Sequence, residues 1–239
     1  AANVAVYAFL FLYVQLFIMR FFTAIVFISL LMACSNAKKV PATQTVFASK
    51  EDEAIFTDVQ RATFQYFWDG AEPTSGLARE RFHVDNIYPQ NDKNVVTSGG
   101  GGFGVMAILV GIERGFISRD EGRQRLEKIV QFLETADRFH GAWPHWWNGE
   151  TGKVKPFSRY DDGGDLVETS FMIQGLLCLR QYFHNGSATE KTLATRIDKL
   201  WKEVEFDWYR NGKNALYWHW SPNHAWRMNF AVDGYNECL

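Results

Sequence analysis

Cysteine is scarce in this chain, with three in 239 residues. Cys34, Cys178 and Cys238 are too widely spaced for a C-x-x-C pair, so neither a disulfide scaffold nor a zinc ribbon is supported. Histidine is not arranged for metal either. His140/His145 and His219/His224 are each five apart, without the H-E-x-x-H pattern that sets two imidazoles on one helical face. No metal and no cofactor are expected. An excess of one charge is also missing: 25 Lys+Arg stand against 27 Asp+Glu, a net charge of −2. Without a basic footprint there is no counterion release to drive nucleic-acid binding. Hydrophobic residues at 47% and charged residues at 22% exclude a disordered or fibrous chain. No motif returns at a fixed period, which argues against a solenoid, and no obligate protein partner is evident.

What the chain has in quantity is rings: 20 Phe, 9 Trp and 9 Tyr. It also has a long apolar opening. Val4 to Ala33 is nearly continuous, enough to span a bilayer. Its internal order fits export better. Met19-Arg20 is a short basic start, Phe21 to Met32 an apolar stretch, and Leu31-Met32-Ala33-Cys34 resembles a bacterial lipobox. The expectation is an upstream extension over 1–18, a lipoprotein signal over 19–33, and lipidation at Cys34. A polar tether over 34–50 then leads to the folded region over 51–239. The alternative is an uncleaved anchor helix. Either way the protein is placed in the cell envelope, exported and attached to membrane.

Beyond Glu51 the periodicity is helical. Ile55, Val59, Ala62 and Tyr66 form a stripe over 52–68; Leu126, Ile129, Val130 and Leu133 do so over 120–139; Leu193, Ile197, Leu200, Trp201 and Val204 do so over 190–208. Each has one wet face. Between them, 103–114, 166–183 and 225–239 are apolar nearly all round, as enclosed helices are. Connections leaving an enclosed helix are short, and those entering one (69–102, 140–164 and 209–224) are long. The pattern predicts an all-α fold, an (α/α)6 toroid of alternating outer and inner helices. About six of its twelve helices are present, and the long loops gather on one rim.

Six of the nine tryptophans, Trp143, Trp146, Trp147, Trp218, Trp220 and Trp226, lie in or beside two of those loops, with His145, His219, His224, Arg159 and Tyr160. Core packing is the plain reading of any one of them. Flat apolar faces among polar groups also suit a sugar ring, and the cluster reads as a carbohydrate cleft. Glycoside hydrolysis needs two carboxyl groups in different protonation states. Asp161, Asp162, Asp165 and Glu168 put four acids into eight positions at the entrance to an apolar helix. Asp165 and Glu168 are also spaced as a helix cap and its third residue, so capping competes with catalysis for Asp165. Glu237 follows Asp233-Gly234-Tyr235-Asn236 in an otherwise apolar segment, where burial would raise its pKa toward general-acid duty. Two motifs mislead. Gly99 to Gly104 satisfies G-x-G-x-x-G, but no strand alternation surrounds it, and it reads as a hinge before a helix rather than a dinucleotide site. Asp161-Asp162-x-x-Asp165 resembles the diphosphate-binding motif of helical terpene synthases, yet carries two glycines.

Several ordered blocks carry a resemblance. They are Thr97-Ser98-Gly99 with Phe103-Gly104-Val105-Met106-Ala107, Gly111 to Ile117, Pro144-His145-Trp146 with Gly149-Glu150-Thr151-Gly152, Tyr160 to Thr169, and Gly234-Tyr235-Asn236-Glu237. Over roughly 52–239 the chain resembles the bacterial glucoamylase-like family, with endo-β-1,2-glucanases of the glycoside hydrolase family 144 type. The resemblance implies an (α/α)6 barrel, no cofactor, and hydrolysis of β-1,2-glucans to sophorose-type oligosaccharides. It implies Glu237 as general acid and Asp161, Asp165 and Glu168 as the acidic cluster at the cleavage point. The candidate substrate-binding set is Arg79, Trp143, His145, Trp146, Arg159, Tyr160, Asp162, Trp218, Trp226 and Tyr235. An α-glucan hydrolase and a non-catalytic glycan-binding lipoprotein are the rival readings. Since the family's chains run well past Leu239, the second half of the barrel is expected beyond it, and this stretch alone is expected to be inactive.

Overall fold

A computed structural model describes residues 49–233. The lipobox with Cys34, the segment before it, and Tyr235 and Glu237 lie outside the described residues. The chain divides into two units, 1–52 and 53–239, and the second carries nearly everything described here. No helix among the described residues is long and apolar enough to cross a membrane.

Five α-helices dominate: α1 (Lys50–Trp68), α2 (Ser98–Glu113), α3 (Arg119–Thr135), α4 (Leu166–Phe183) and α5 (Ala188–Lys202). The amphipathic helices α3 and α5 bury the stripes their spacing predicts, with Leu126, Ile129, Val130 and Leu133 of α3 meeting Leu193, Ile197 and Leu200 of α5 in one core. Each begins with a complete capping box, Ser118 with Glu121 and Ser187 with Glu190. Helices α2 and α4 are the apolar pair and pack on each other more extensively than any other two elements. Their close approach depends on glycine. A Cβ on Gly102 would meet the carbonyl of Phe171 at 2.2 Å, and one on Gly175 would meet the carbonyl of Gly102 at 2.3 Å. The glycine run from Gly99 therefore lies inside α2 and sets its contact with α4; it is not a hinge.

Three further expectations are corrected. The α1 stripe points outward, with Ile55 62% and Val59 59% exposed, while Phe64 is the residue α1 buries. Phe64 stacks on Trp68 and packs on Phe116, and its ring fills the space a side chain on Gly111 of α2 would need. The apolar pair is not enclosed by the described residues either, because Phe103 and Val110 of α2 and Cys178 of α4 are exposed. Lastly, the described part of 225–239 is not helical. Ala225 and Asn229 take positive φ values of 49° and 50°, which interrupts any helix, and Ala231–Val232 form a strand instead. The fold is thus mostly helical with short strands, rather than all-α.

Those strands tie the long connections together. β1 (Val95–Thr97) pairs antiparallel with β2 (Trp146–Asn148), β3 (Gly164–Asp165) with β5 (His219–Trp220), and β4 (Leu216–Tyr217) with β6 (Ala231–Val232). β1 runs directly into α2 and β3 directly into α4. The three long connections therefore meet around the N-termini of the apolar pair, as the alternation of loop lengths predicts.

Candidate active site

The start of α4 organises the site. Asp165 is its N-cap and fully buried; Oδ1 accepts the Glu168 N–H at 2.9 Å and Oδ2 accepts the Trp218 indole N–H at 2.9 Å. Both oxygens are committed to donors, and His145 Nδ1 lies a further 3.4 Å from Oδ2. Asp165 is an anchor on which other groups are aimed. Glu168, three residues on, does not close the capping box. It leaves its own helix and crosses to the start of α2, where Oε2 accepts from the Gly99 N–H at 2.8 Å and from the Thr97 hydroxyl at 3.2 Å. A helix N-terminus is the natural seat of a carboxylate. Gly99 is glycine for this reason: a Cβ there would lie 2.2 Å from Oε2. Oε1 has no hydrogen-bond partner among the described residues and the side chain is half-buried, so one oxygen remains for chemistry. Burial raises the Glu168 pKa, opposed by the charge of His145 and reinforced by that of Asp165.

The segment carrying His145 is pinned at both helix starts. The Ser98 hydroxyl donates to the Pro144 carbonyl at 2.6 Å and the Asp165 N–H donates to the Trp143 carbonyl at 2.8 Å. The Thr169 hydroxyl accepts the Trp143 N–H at 2.8 Å. His145 stacks on Phe157 at 4.2 Å, with Trp146 edge-on to the same ring at 4.8 Å. Burial alone would lower the His145 pKa; the pairing with Asp165 and the charges of Glu168, Asp165 and Asp161 outweigh it and raise it. Asp161, buried on the loop before β3, sits 3.8 Å from His145 Nδ1 and 3.3 Å from His219 Nε2. Burial, then repulsion from Asp165, pushes its pKa up to about 7.

Ligand atoms of His145, Asp161 and Asp165 lie within 4.8 Å of one another, close enough in principle for a small cation. Each Asp165 oxygen already accepts one N–H, from Glu168 and from Trp218, and His145 stands against the same carboxylate.

The remaining binding candidates separate. Trp143 is wholly buried, its indole N–H on the Leu133 carbonyl, and Arg138 lies over its ring at 4.8 Å. Arg79 ties loops together, donating to the carbonyls of Lys93, Gly70 and Ala71. Trp226 packs among Trp208, Tyr209 and Tyr217. Tyr160 lies between Arg159 and Arg227, edge-on to His224, and Asp162 accepts from the Asn223 amide at 2.7 Å. Trp218 stays on an acid, through its N–H to Asp165, and Trp146 packs edge-on to His145 and Phe157. Sequence reasoning missed Thr97, Gly99 and Phe157. The first two carried a signal, a Thr followed by glycines at the head of an apolar helix; Phe157 carried none.

No family model matches the chain. An endo-β-1,2-glucanase from Chitinophaga pinensis, solved with sophorotriose and glucose, is 75% identical with a TM-score of 0.77, over 78% of this chain and 45% of that one. This chain is a homologue of the β-1,2-glucanases. A β-1,2-glucanase from Parabacteroides distasonis is 51% identical with a TM-score of 0.71, over 77% of this chain and 26% of that one. An exo β-1,2-glucooligosaccharide sophorohydrolase acting at the non-reducing end, from the same organism, is 52% identical over 202 residues, which are 82% of this chain and 27% of that protein. The chain thus spans under half the length of these β-1,2-glucanase homologues.

Proposed function

We propose that the protein is a glycoside hydrolase of β-1,2-glucans, an endo-acting enzyme releasing sophorose-type oligosaccharides. The observation that carries this is Glu168, a half-buried carboxylate with one oxygen held by the start of α2 and the other without a partner among the described residues, three positions from the buried Asp165 that holds the Trp218 indole. It sits in a chain 75% identical to an endo-β-1,2-glucanase. Glu168 activates the attacking water, and Glu237 protonates the leaving oxygen. Asp165 and His145 hold the water-activating side in place. The helices form about half the wall of an (α/α)6 toroid, a reading supported by the alternation of amphipathic and apolar helices and by the gathering of long connections at one end. Full-length protein incubated with β-1,2-, β-1,3- and α-1,4-glucans, with products separated by chromatography, tests the activity. Sophorose-type products from the β-1,2-glucan alone are expected. No product from any glucan would favour a glycan-binding lipoprotein.

The enzyme works outside the cytoplasm, tethered by a lipid on Cys34. Support comes from the basic start, apolar stretch and Leu-Met-Ala-Cys order of residues 19–34. Cys34→Ser is expected to move the protein from the membrane fraction to the soluble fraction. Retention in the membrane would make residues 4–33 an uncleaved anchor.

A further inference from the structure

Asp161 is the acid for which the preceding account has no use, and its surroundings fix where its proton lies. His219 Nε2 accepts the Gly163 N–H at 3.2 Å. A ring nitrogen that accepts offers a lone pair and carries no hydrogen, so the His219 proton sits on Nδ1. That same Nε2 faces Asp161 Oδ1 at 3.3 Å, and Oδ1, like His219 Nδ1, is buried with no hydrogen-bond partner among the described residues. An ionised Oδ1 would press its charge against a nitrogen lone pair inside the protein, with Asp165 as a second negative charge close by. A hydrogen on Oδ1 takes the negative charge out of both contacts; directed at Nε2, it shares with the Gly163 N–H the one lone pair that nitrogen offers.

We propose that Asp161 is a positioning residue kept as an uncharged carboxylic acid, its O–H directed at His219 and its other oxygen toward His145. The groups facing it are His145 from the segment before β2, Asp165 from β3, Glu168 from α4, His219 from β5, and its neighbour Asp162. Kept neutral, it lets Asp165 alone pair with His145, so His145 stays cationic beside Glu168 and holds that carboxylate ionised. It also joins the loop before β3 to β5, the strand next to Trp218. When Asp161 ionises, it competes with Asp165 for His145 and repels it. The assignment of Glu168 as the reacting base rests on the glucanase reading; the location of the proton does not.

The sign of the pH dependence follows. An aspartic acid with a native pKa of about 7, against about 3.9 when unfolded, holds a proton that the unfolded chain releases. Its contribution to stability is complete below about pH 4 and is lost as pH rises to about 7. Two variants of the full-length protein test the assignment. Asp161→Asn cannot ionise, and its amide N–H can donate to His219 in place of the O–H. The protonated-carboxyl C=O band in the infrared spectrum should be present in the parent at pH 6, weaken as pH rises through about 7, and be missing from Asp161→Asn. The Asn variant should melt with a flatter pH dependence and flatten the alkaline limb of kcat. Its turnover loss should fall well short of the 10²–10⁴-fold that removing a positioned acid or base brings. Asp161→Ala, with nothing to donate, should lose more of both. Absence of the band in the parent overturns the proposal, as does a band abolished by added Mn²⁺ or Zn²⁺, which would make the cluster a metal site. A band that is present while Asp161→Asn is as inactive as Asp161→Ala would make the proton a reactant and end the positioning role. If the parent cleaves no glucan, the function reading fails, and the infrared and melting measurements still decide this one.

Discussion

Two helix starts in this protein are written in the same local grammar and do different work. α5 opens with Ser187 and, three residues later, Glu190; α4 opens with Asp165 and, three residues later, Glu168. At α5 the box closes: the Ser187 hydroxyl takes the Glu190 N–H, and Glu190 Oε2 takes the Ser187 N–H at 2.6 Å. Glu190 Oε1 then pairs with Arg119 at 2.7 Å, and every acceptor is used within the scaffold. At α4 only half the box forms. Asp165 caps, but Glu168 is drawn across to the start of α2 by the Gly99 N–H and leaves one oxygen without a partner among the described residues. The residue that breaks its local pattern is the one available for chemistry, which is where consistency between local and global preferences is expected to fail.

The comparison is sharpest when the glutamates are neutralised. Glu168→Gln in the full-length protein should lower kcat by about 10²–10⁴-fold, the contribution of a positioned general base. Folding stability should change little, since the amide oxygen can still accept from Gly99 and Thr97. Glu190→Gln should leave kcat alone. Steady-state rates on β-1,2-glucan for the two variants decide it, and comparable rates would mean that the open box at α4 has no chemical purpose.

Asp165→Asn comes next in size. Its two oxygens accept from Glu168 and Trp218, and an Asn has only one oxygen to offer, so one buried N–H faces another N–H. The expected loss is about 1–3 kcal/mol of stability, read by denaturant unfolding. Turnover should fall less than in Glu168→Gln, because His145 and Trp218 lose their anchor but the base remains. An unchanged stability with activity abolished would make Asp165 the reacting carboxylate.

How far these differences could be read in the sequence depends on how local each one is. The faces of α3 and α5 follow from spacing alone, and Leu126, Ile129, Leu133, Leu193 and Ile197 are buried as read. Spacing also gave α1 a stripe, but Ile55 and Val59 face outward; periodicity locates a face and does not say what covers it. The segment after Trp226 has helical composition, and the positive φ values at Ala225 and Asn229 with the β4–β6 pairing, which joins Leu216 to Val232 and Tyr217 to Ala231, turn it into a strand. At the site, the cap by Asp165 was legible because Glu168 is its third neighbour. The reach of Glu168 to Gly99 spans 69 residues, and the alignment of His219 on Asp161 spans more than fifty. Neither leaves a mark in any short window. Aromatic content overstated how many rings could meet a ligand, since Trp143 and Trp147 are wholly buried core.

The smallest effect is expected where the box is complete. Ser187→Ala removes the hydroxyl that accepts the Glu190 N–H at 3.3 Å. Glu190 keeps the Ser187 backbone N–H and Arg119, so the helix start is weakened rather than opened, and about 1 kcal/mol of stability should be lost. The chain enters α5 far from the β3–β5 rim, and nothing in the capping box touches His145, Asp161 or Glu168. Activity on β-1,2-glucan should therefore stay at the parent value at temperatures well below the melt. Denaturant unfolding and initial rates, measured on one preparation, separate the two quantities. A fall in rate without a fall in stability would show that the start of α5 is coupled to the acidic rim, and the division between a closed structural start and an open chemical one would no longer hold.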